Sequence, residues 1–349
     1  MTDIAAACGV SQATVSLVLN NAPGTRISAT TREAVIAKAQ ELGYARGGRP
    51  GGRRPLVVMI INDVTCSPHV AGLIEGVSEA ANEIGLFVSV LPTVGDEATE
   101  AAALDHAEAA GAAGVIYARL ITQEVTPPPR LRDRPTVLLN CYAPRDPFPC
   151  VVPGDLAAGL TATLALIDAG HQRIAFIGGE DSIEASRERL KGYKRALAMR
   201  DIAADLALIV KGGWTIAGGH AALLSLRRLA DPPTAVFCFC DRTAVGVYNA
   251  ARELGLRIPD DLSVVGFDNE AFTADMAPPL STMELPHAEM ARHAVEELHR
   301  MIMLPGSRPR HPRMKFDCPL VLRQSIAPRE TCSSGEDLER RGMRAPLAG

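Results

Sequence analysis

The chain has 349 residues, 47% of them apolar and only 4% aromatic, with 36 basic and 40 acidic side chains. Such a length implies two or three domains, and the shortage of aromatics beside abundant Ala, Val, Leu and Ile suits layered α/β packing better than a β-sandwich. No run approaches the roughly 20 apolar residues of a membrane helix and no charged-then-apolar leader opens the sequence, so a cytoplasmic protein without a membrane partner is expected.

The net charge of −4 conceals an asymmetry. Residues 1–55 hold seven basic and three acidic side chains, a local +4, which leaves −8 on the remainder. A basic head on an acidic body is the pattern of a nucleic-acid reader fused to a larger sensor, because phosphates respond to local positive charge. Eight cysteines are scattered with no CxxC pair, as suits free thiols in a reducing compartment, and Cys238 and Cys240 fall in an apolar run that reads as a buried strand.

In chain order, a short helix is predicted over 2–8, then the break Gly9-Val10-Ser11, then a second helix over 12–19 with Val15, Val18 and Leu19 on one face. Ser11 is placed to cap that second helix through its hydroxyl. A third helix is predicted over 29–42, starting behind Ser28 and stopping at Gly43. Apolar spacing alone fits any three-helix bundle. The specific string is more informative: Asp3-Ile4-Ala5, then Gly9-Val10-Ser11-Gln12-Ala13-Thr14-Val15-Ser16-Leu17-Val18-Leu19-Asn20, then Ile27-Ser28, Thr31-Arg32 and Glu41-Leu42-Gly43-Tyr44. It resembles, nearly end to end, the DNA-binding head of the lactose-repressor (LacI/GalR) family.

That resemblance implies a helix-turn-helix head over residues 1–45, with its second helix in the major groove of double-stranded operator DNA. Ser11, Gln12 and Ala13 would stand at the groove, Gln12 and Ala13 reading base edges, with Thr14, Ser16 and Asn20 near the backbone. The family commonly has Arg where this chain has Leu17, and losing that guanidinium removes a guanine contact worth ~1–3 kcal/mol of discrimination. The first helix also lacks the Thr cap that the family places a few residues earlier. After Tyr44 the family continues with a hinge helix carrying a Leu wedge for the minor groove, but here residues 46–55 form a Gly/Arg-rich linker with four Gly and two Pro between Ala45 and Pro55. A helix there is unfavourable and no wedge is present. The stretch reads either as a plain flexible tether or as one whose Arg46 and Arg49 follow the phosphates, and little DNA kinking is expected.

From Leu56 onward, apolar strands alternate with amphipathic helices: strands at 56–61, 87–91, 114–117, 136–140, 173–178, 208–210, 235–240 and 263–267, and helices at 69–84, 98–110, 156–169, 185–199, 217–230 and 244–254. Such alternation implies parallel sheets with helices on both faces, and the number of units suits two lobes. Gly170-His171-Gln172-Arg173-Ile174-Ala175-Phe176-Ile177-Gly178-Gly179 and Ser263-Val264-Val265-Gly266-Phe267-Asp268-Asn269 are similar to the same family's second-lobe signatures. The resemblance implies a two-lobed, periplasmic-binding-protein-like core over 56–328. Its first lobe is expected at about 56–152 and 283–306, its second at about 153–282 and 307–328, with a disordered tail at 329–349. No leucine heptads follow, so a homodimer is expected rather than a tetramer.

Parallel sheets bind ligands beyond the carboxyl ends of their strands, so the cleft between lobes is the expected effector site. By family position Arg189 would clamp hydroxyls or a carboxylate, Asp268 would accept hydroxyls or a protonated nitrogen, and Trp214 would lay a flat apolar face against a ring. His69, Asn140 and Asp241 stand at other strand or helix ends. The family's Asp follows two valines directly, whereas here Asp155 comes after Val151-Val152-Pro153-Gly154. His171 reads as a turn-fixing residue. His287, His293 and His299 recur every six residues, which puts them on different helix faces. No metal or cofactor is expected. An enzyme is not expected either, since GxGxxG, a P-loop and a nucleophile–base pair are all missing. The reading is a sequence-specific transcriptional regulator, a repressor by resemblance, switched by a sugar or related metabolite. A transport-type ligand receptor shares the two-lobed body and is the alternative.

Overall fold

The computed structural model describes residues 2–19, 27–41, 54–64, 69–306 and 313–329. Asn20, Arg46, Arg49, the expected helix stop at Gly43 and the tail from residue 330 lie outside the described residues, as do the side chains of Ser16 and His69.

Three helices open the chain: α1 (Thr2–Cys8), α2 (Gln12–Leu19) and α3 (Ala29–Glu41). Ile4, Val15, Val18 and Val35 are completely buried among them. The Thr14 backbone N–H donates to Ser11 Oγ at 3.0 Å, and that of Thr31 to Ser28 Oγ at 3.1 Å. Both helices therefore start on the serines the sequence marks, each satisfying an N–H that the helix itself leaves without a partner. With Val15 and Val18 turned inward, Gln12, Ala13 and Leu17 are left on the exposed side of α2.

The body begins with β1 (Leu56–Ile61), α4 (His69–Glu83), β2 (Phe87–Pro92), α5 (Glu97–Ala109), β3 (Gly114–Glu124), β4 (Thr136–Tyr142) and β5 (Cys150–Pro153). It continues with α6 (Asp155–Asp168), β6 (Ile174–Gly178), α7 (Glu184–Met199), β7 (Ile209–Lys211), α8 (Ile216–Leu226), β8 (Ala235–Cys238), α9 (Asp241–Glu253) and β9 (Ser263–Asp268). The last elements are β10 (Ser281–Glu284), α10 (His287–Met303), β11 (Arg313–Phe316) and β12 (Leu320–Val321). One six-stranded sheet runs β11-β5-β4-β3-β1-β2, parallel throughout. The other runs β12-β10-β9-β8-β6-β7, parallel except where β12 pairs with β10. No helix among the described residues is long and apolar enough to cross a membrane.

The expected lobe boundaries need one correction. β10 stays in the second sheet as far as Glu284, and β11 returns to the first sheet, where Arg313–Phe316 pair with Cys150–Pro153. The segment 307–328 is thus shared between the lobes, and the chain crosses between them after Pro153, before His287 and again between Phe316 and Leu320. β11 shows no apolar run because it is an edge strand whose residues alternate between exposed and half-buried.

In the first lobe, α4 and α10 pack side by side. Val70, Leu73, Val77, Ala80 and Ala81, spaced three, four and seven apart, face Met290, Ala291, Ala294, Val295 and Leu298 and close the core over β1 and β3. Each large aliphatic side chain buried there contributes about 1.5–3 kcal/mol. β3 runs well past the predicted 114–117 because its register with β4 shifts between Ala118 and Gln123. That irregularity turns Leu120 and Ile121 toward the other lobe, and the backbone it releases is held by side chains. Asn62 Oδ1 accepts the Leu120 N–H at 2.9 Å, and Asn140 Nδ2 donates to the Arg119 and Leu120 carbonyls at 3.1 and 2.9 Å.

In the second lobe His171 ties three segments together, its ring nitrogens 2.9 Å from both Thr234 Oγ1 and Ser263 Oγ. It fixes a turn, as its sequence position implies.

Candidate functional site

The parallel strands of both sheets end toward the gap between the lobes, where a cavity of about 430 Å³ opens. Asn62 and Asp63, just past β1, and Leu120 and Ile121 of the β3 irregularity form the wall from the first lobe. The opposing wall comes from residues that follow strands of the second lobe. They are Trp214 and Thr215 before α8, Cys240 and Arg242 at the start of α9, and Asp268 and Glu270 at the end of β9. Trp214, one of the lining residues, packs against Phe239 in a T-shaped pair, their ring centroids 4.5 Å apart at 82°. The lobes also touch directly at the rim. Tyr142 donates its hydroxyl hydrogen to Glu184 while Arg313 Nη2 donates to Glu184 Oε1 at 2.8 Å, stacking its guanidinium 3.7 Å above the Tyr142 ring centroid.

Arg189 is only 4% exposed and lies behind the second-lobe wall. Its Nε donates to Asp155 Oδ1 at 2.8 Å and its Nη1 to the Phe239 carbonyl at 2.7 Å. The guanidinium is stacked 3.3 Å from the Phe267 ring centroid. The guanidinium is thus held within the second lobe, and Arg189 is not among the residues that line the cavity. Asp155, which the sequence left displaced from the family's pattern, is thus the buried counter-ion of Arg189. Burial pushes its carboxyl up and Arg189 pulls it back.

Asp268 has φ of 118° and Asn269 follows at 57°. A non-glycine residue at such a φ carries strain of order 1–3 kcal/mol, which persists where surrounding contacts hold it and is common where a side chain must be aimed at a ligand. Burial pushes the Asp268 carboxyl well above the ordinary carboxylate range; Arg189 opposes that rise, while Asp241 and Glu270 add to it. A ligand donating hydrogen bonds or positive charge would relieve that arrangement.

Two expected ligand residues stand elsewhere. Asp241 is completely buried, accepting the Thr282 hydroxyl at Oδ1 (2.6 Å) and the Glu270 backbone N–H at Oδ2 (2.9 Å). It braces the turn that carries Asp268 and Glu270 and does not line the cavity. Asn140, 6% exposed, spends both halves of its amide on Thr122 and on the β3 irregularity. His69 begins α4, its side chain outside the described residues. Conversely, sequence reasoning missed Asn62, Asp63, Cys240, Arg242 and Glu270. Each lies within four residues of the carboxyl end of β1, β8 or β9, the side of a parallel sheet where ligands bind.

Asp241 carries a measurable consequence. Burial, opposed by its hydrogen bonds from Thr282 and Glu270, raises its carboxyl to about 7, so the folded protein holds a proton there that an unfolded chain releases near 4. Stability from this group is complete at low pH and falls as pH rises from about 4 to about 7. Asp241→Asn, whose carbonyl can accept the Glu270 N–H while its amide donates to Thr282, is expected to unfold later than the parent protein at pH 8, by on the order of 2 kcal/mol, and to match it near pH 4. Denaturant titrations at both values check this, and a variant destabilised equally at both would refute it.

The family described as bacterial regulatory proteins, lacI family, matches residues 1–46, and a periplasmic binding protein-like domain matches residues 163–326. The HTH-type transcriptional repressor CytR of Escherichia coli strain K12 is 31% identical over 343 residues, covering 93% of this chain and 95% of CytR. The chain belongs to the LacI family. As a LacI-family member it is a DNA-binding transcriptional regulator with an effector-binding body. A second relative agrees: the HTH-type transcriptional regulator MalR of Streptomyces coelicolor is 32% identical over 337 residues, 94% of this chain and 96% of MalR. Among solved structures, the complex of the transcriptional regulator CelR with cellobiose superposes with a TM-score of 0.67 at 28% identity, covering 92% of this chain and 98% of that one. The Escherichia coli transcriptional repressor ascG gives 0.66 at 26% identity, covering 78% and 99%. These LacI-family relatives are regulators rather than enzymes, and the matched head is what a transport-type receptor lacks.

Proposed function

We propose that the protein is a homodimeric repressor whose α2 reads operator DNA through Gln12, Ala13 and Leu17 and whose cleft binds a sugar or a sugar-containing metabolite. The observation that carries the first half is the exposed trio on a serine-capped helix, a geometry that lets the helix N-terminus meet a groove while Val15 and Val18 hold it to the bundle. For the second half it is the juxtaposition in one cavity of Trp214, a flat apolar wall, with Asp268, a strained acceptor backed by Arg189. Ring stacking against an aromatic face and hydroxyl donation to a carboxylate are how polyhydroxylated rings are held. The complex of its structural neighbour CelR with cellobiose supports that reading.

In this scheme, effector binding draws the lobes together at the cleft and rotates the first lobes of the dimer, which changes the separation of the two heads relative to half-sites about one helical turn apart. Linkage requires operator DNA to alter effector affinity by the same factor that effector alters DNA affinity. Leu17, an apolar residue at 39% exposure, suits a thymine methyl or a plain backbone approach, so operator preference should differ from relatives with an arginine there. The experiment is a mobility shift on DNA flanking the gene, repeated with Gln12→Ala. The parent protein is expected to select a two-fold symmetric site, and the variant to lose about tenfold to a hundredfold in affinity, with relaxed choice at one base pair per half-site. Equal affinity of both proteins for every sequence tested would sink the proposal.

A further inference from the structure

Beyond Asp268 and Glu270 the gap between the lobes widens into a second cavity of about 660 Å³. Its walls are the outward side of α4, the turn after β9 and the chain passing from β10 into α10. Glu75, Glu79, Asp268, Glu270, Glu284 and Glu289 line it, and among the described residues its lining holds no Lys or Arg. His287 does not offset this charge, because burial depresses its imidazole to about 4 and keeps it neutral at pH 7.

Exposed carboxylates alone would be an ordinary acidic surface. Glu270 makes this one different. The residue is only 7% exposed, and its Oε1 is buried without a hydrogen-bond partner among the described residues. Burial raises its carboxyl, against the pull of Arg242. The other two deeply buried acids of the region are satisfied, Asp155 by Arg189 and Asp241 by Thr282 and the Glu270 N–H. A buried acceptor left unpaired is costly and marks a position where a donor is missing.

The missing donor is not a compact metal ion, for no three His, Cys, Asp or Glu groups among the described residues are placed to hold one. The carboxylates are instead strung out. Glu75 and Glu79 are one helical turn apart on α4, roughly 6 Å between their Cβ atoms, close to the nitrogen spacing of a short diaminoalkane. The floor between them and α10 is kept low by Gly72 and Gly76: a Cβ on Gly72 would find its nearest neighbour, His287 Nδ1, only at 3.7 Å, and one on Gly76 would meet Ala291 Cβ at 3.0 Å. A flexible chain carrying several ammonium groups fits a trough of this shape and charge.

We infer that this acidic chamber is a second ligand site, for a linear aliphatic polyamine anchored at Glu270. It is separate from the effector cleft but shares Asp268 and Glu270 with it, so a bound polyamine neutralises carboxylates that the effector also meets. The site needs neither the head nor an effector, and its test is independent of operator binding or sugar specificity.

The test is calorimetric titration of the full-length protein, without DNA or sugar, with spermidine. Glu75→Gln/Glu79→Gln changes only exposed helix positions and leaves the folded core alone; Glu270→Gln removes the anchor charge. Saturable binding is expected for the parent protein, with a loss of about tenfold or more in each variant, and magnesium chloride at matched ionic strength should leave the parent's affinity unchanged. Thermal unfolding of each variant confirms the fold. The inference is overturned if spermidine gives no saturable heat, if both variants bind as the parent does, or if magnesium abolishes binding, which would reduce the effect to counter-ion exchange at an acidic surface.

Discussion

Arg189→Ala is expected to destabilise the second lobe by about 3–5 kcal/mol, measured as a fall in the denaturant midpoint. The substitution removes more than a charge. It leaves Asp155, whose side chain is 4% exposed, as an uncompensated buried carboxylate, deprives the Phe239 carbonyl of its donor and strips the stacked face from Phe267. Replacing both partners should cost less than the sum of the single replacements, since Asp155→Ala in the double variant removes the group that Arg189→Ala stranded. A coupling energy near zero would mean that the ion pair does not form. Arg189 is also the arginine expected to touch the effector, so Arg189→Ala alone cannot assign that role: weaker ligand binding would follow from a loosened lobe as readily as from a lost contact. Arg189→Lys with effector titrations at a temperature where both proteins are fully folded separates the two. A lysine can keep the charge near Asp155 but cannot present the second and third donors of the guanidinium fork.

The same residue shows where the sequence is legible and where it is not. Arg189, Trp214 and Asp268 were visible because their spacing from neighbouring motifs matches a known family, and the structure brings Trp214 and Asp268 to one cavity with Arg189 behind them. Asp241 and Asn140 occupy equally suggestive strand ends, yet their side chains turn into the protein and are saturated by Thr282, Glu270 and the β3 backbone. Just past a strand end a shift of one residue decides between cavity and core, and Arg242, the next residue after Asp241, takes the cavity side. Cys240 reads as the end of a buried strand, whereas β8 stops at Cys238 and Cys240 caps α9 at the cavity, and a turn glutamate such as Glu270 carries no distinctive pattern. The fold divides in a similar way. Strands such as β1, with five consecutive buried residues, stand out as apolar runs. By contrast β5 is four residues ending in Pro153, β11 alternates at an edge, and the far half of β3 lies beyond a shift in its register with β4, so their places depend on pairing partners distant in sequence. The capped starts of α2 and α3 were legible to the residue because a serine cap is a local interaction, complete within one helical turn.

Gly159→Ala is expected to cost about 3 kcal/mol, a large penalty for one methyl group on a helix. α6 and α7 touch backbone to backbone. A Cβ on Gly159 would lie 2.4 Å from the Arg189 carbonyl oxygen, and one on Gly192 would lie 2.3 Å from that of Leu156. Neither neighbour is the end of a flexible side chain, so the helices must separate. Gly72→Ala is the matched comparison: it is also a helical glycine, with no atom nearer than 3.7 Å to the added Cβ, and it should gain about 0.5–1 kcal/mol from helix propensity alone. The close approach at Gly159 also places the Arg189 guanidinium within 2.8 Å of Asp155 at the start of α6. Moving α7 outward stretches that pair, so Gly159→Ala and Arg189→Ala damage one interaction by two routes. Their combined cost should therefore fall short of the sum by 1 kcal/mol or more, on the order of couplings between residues in contact. Strict additivity in the double variant would show that the glycine contact and the buried ion pair are independent.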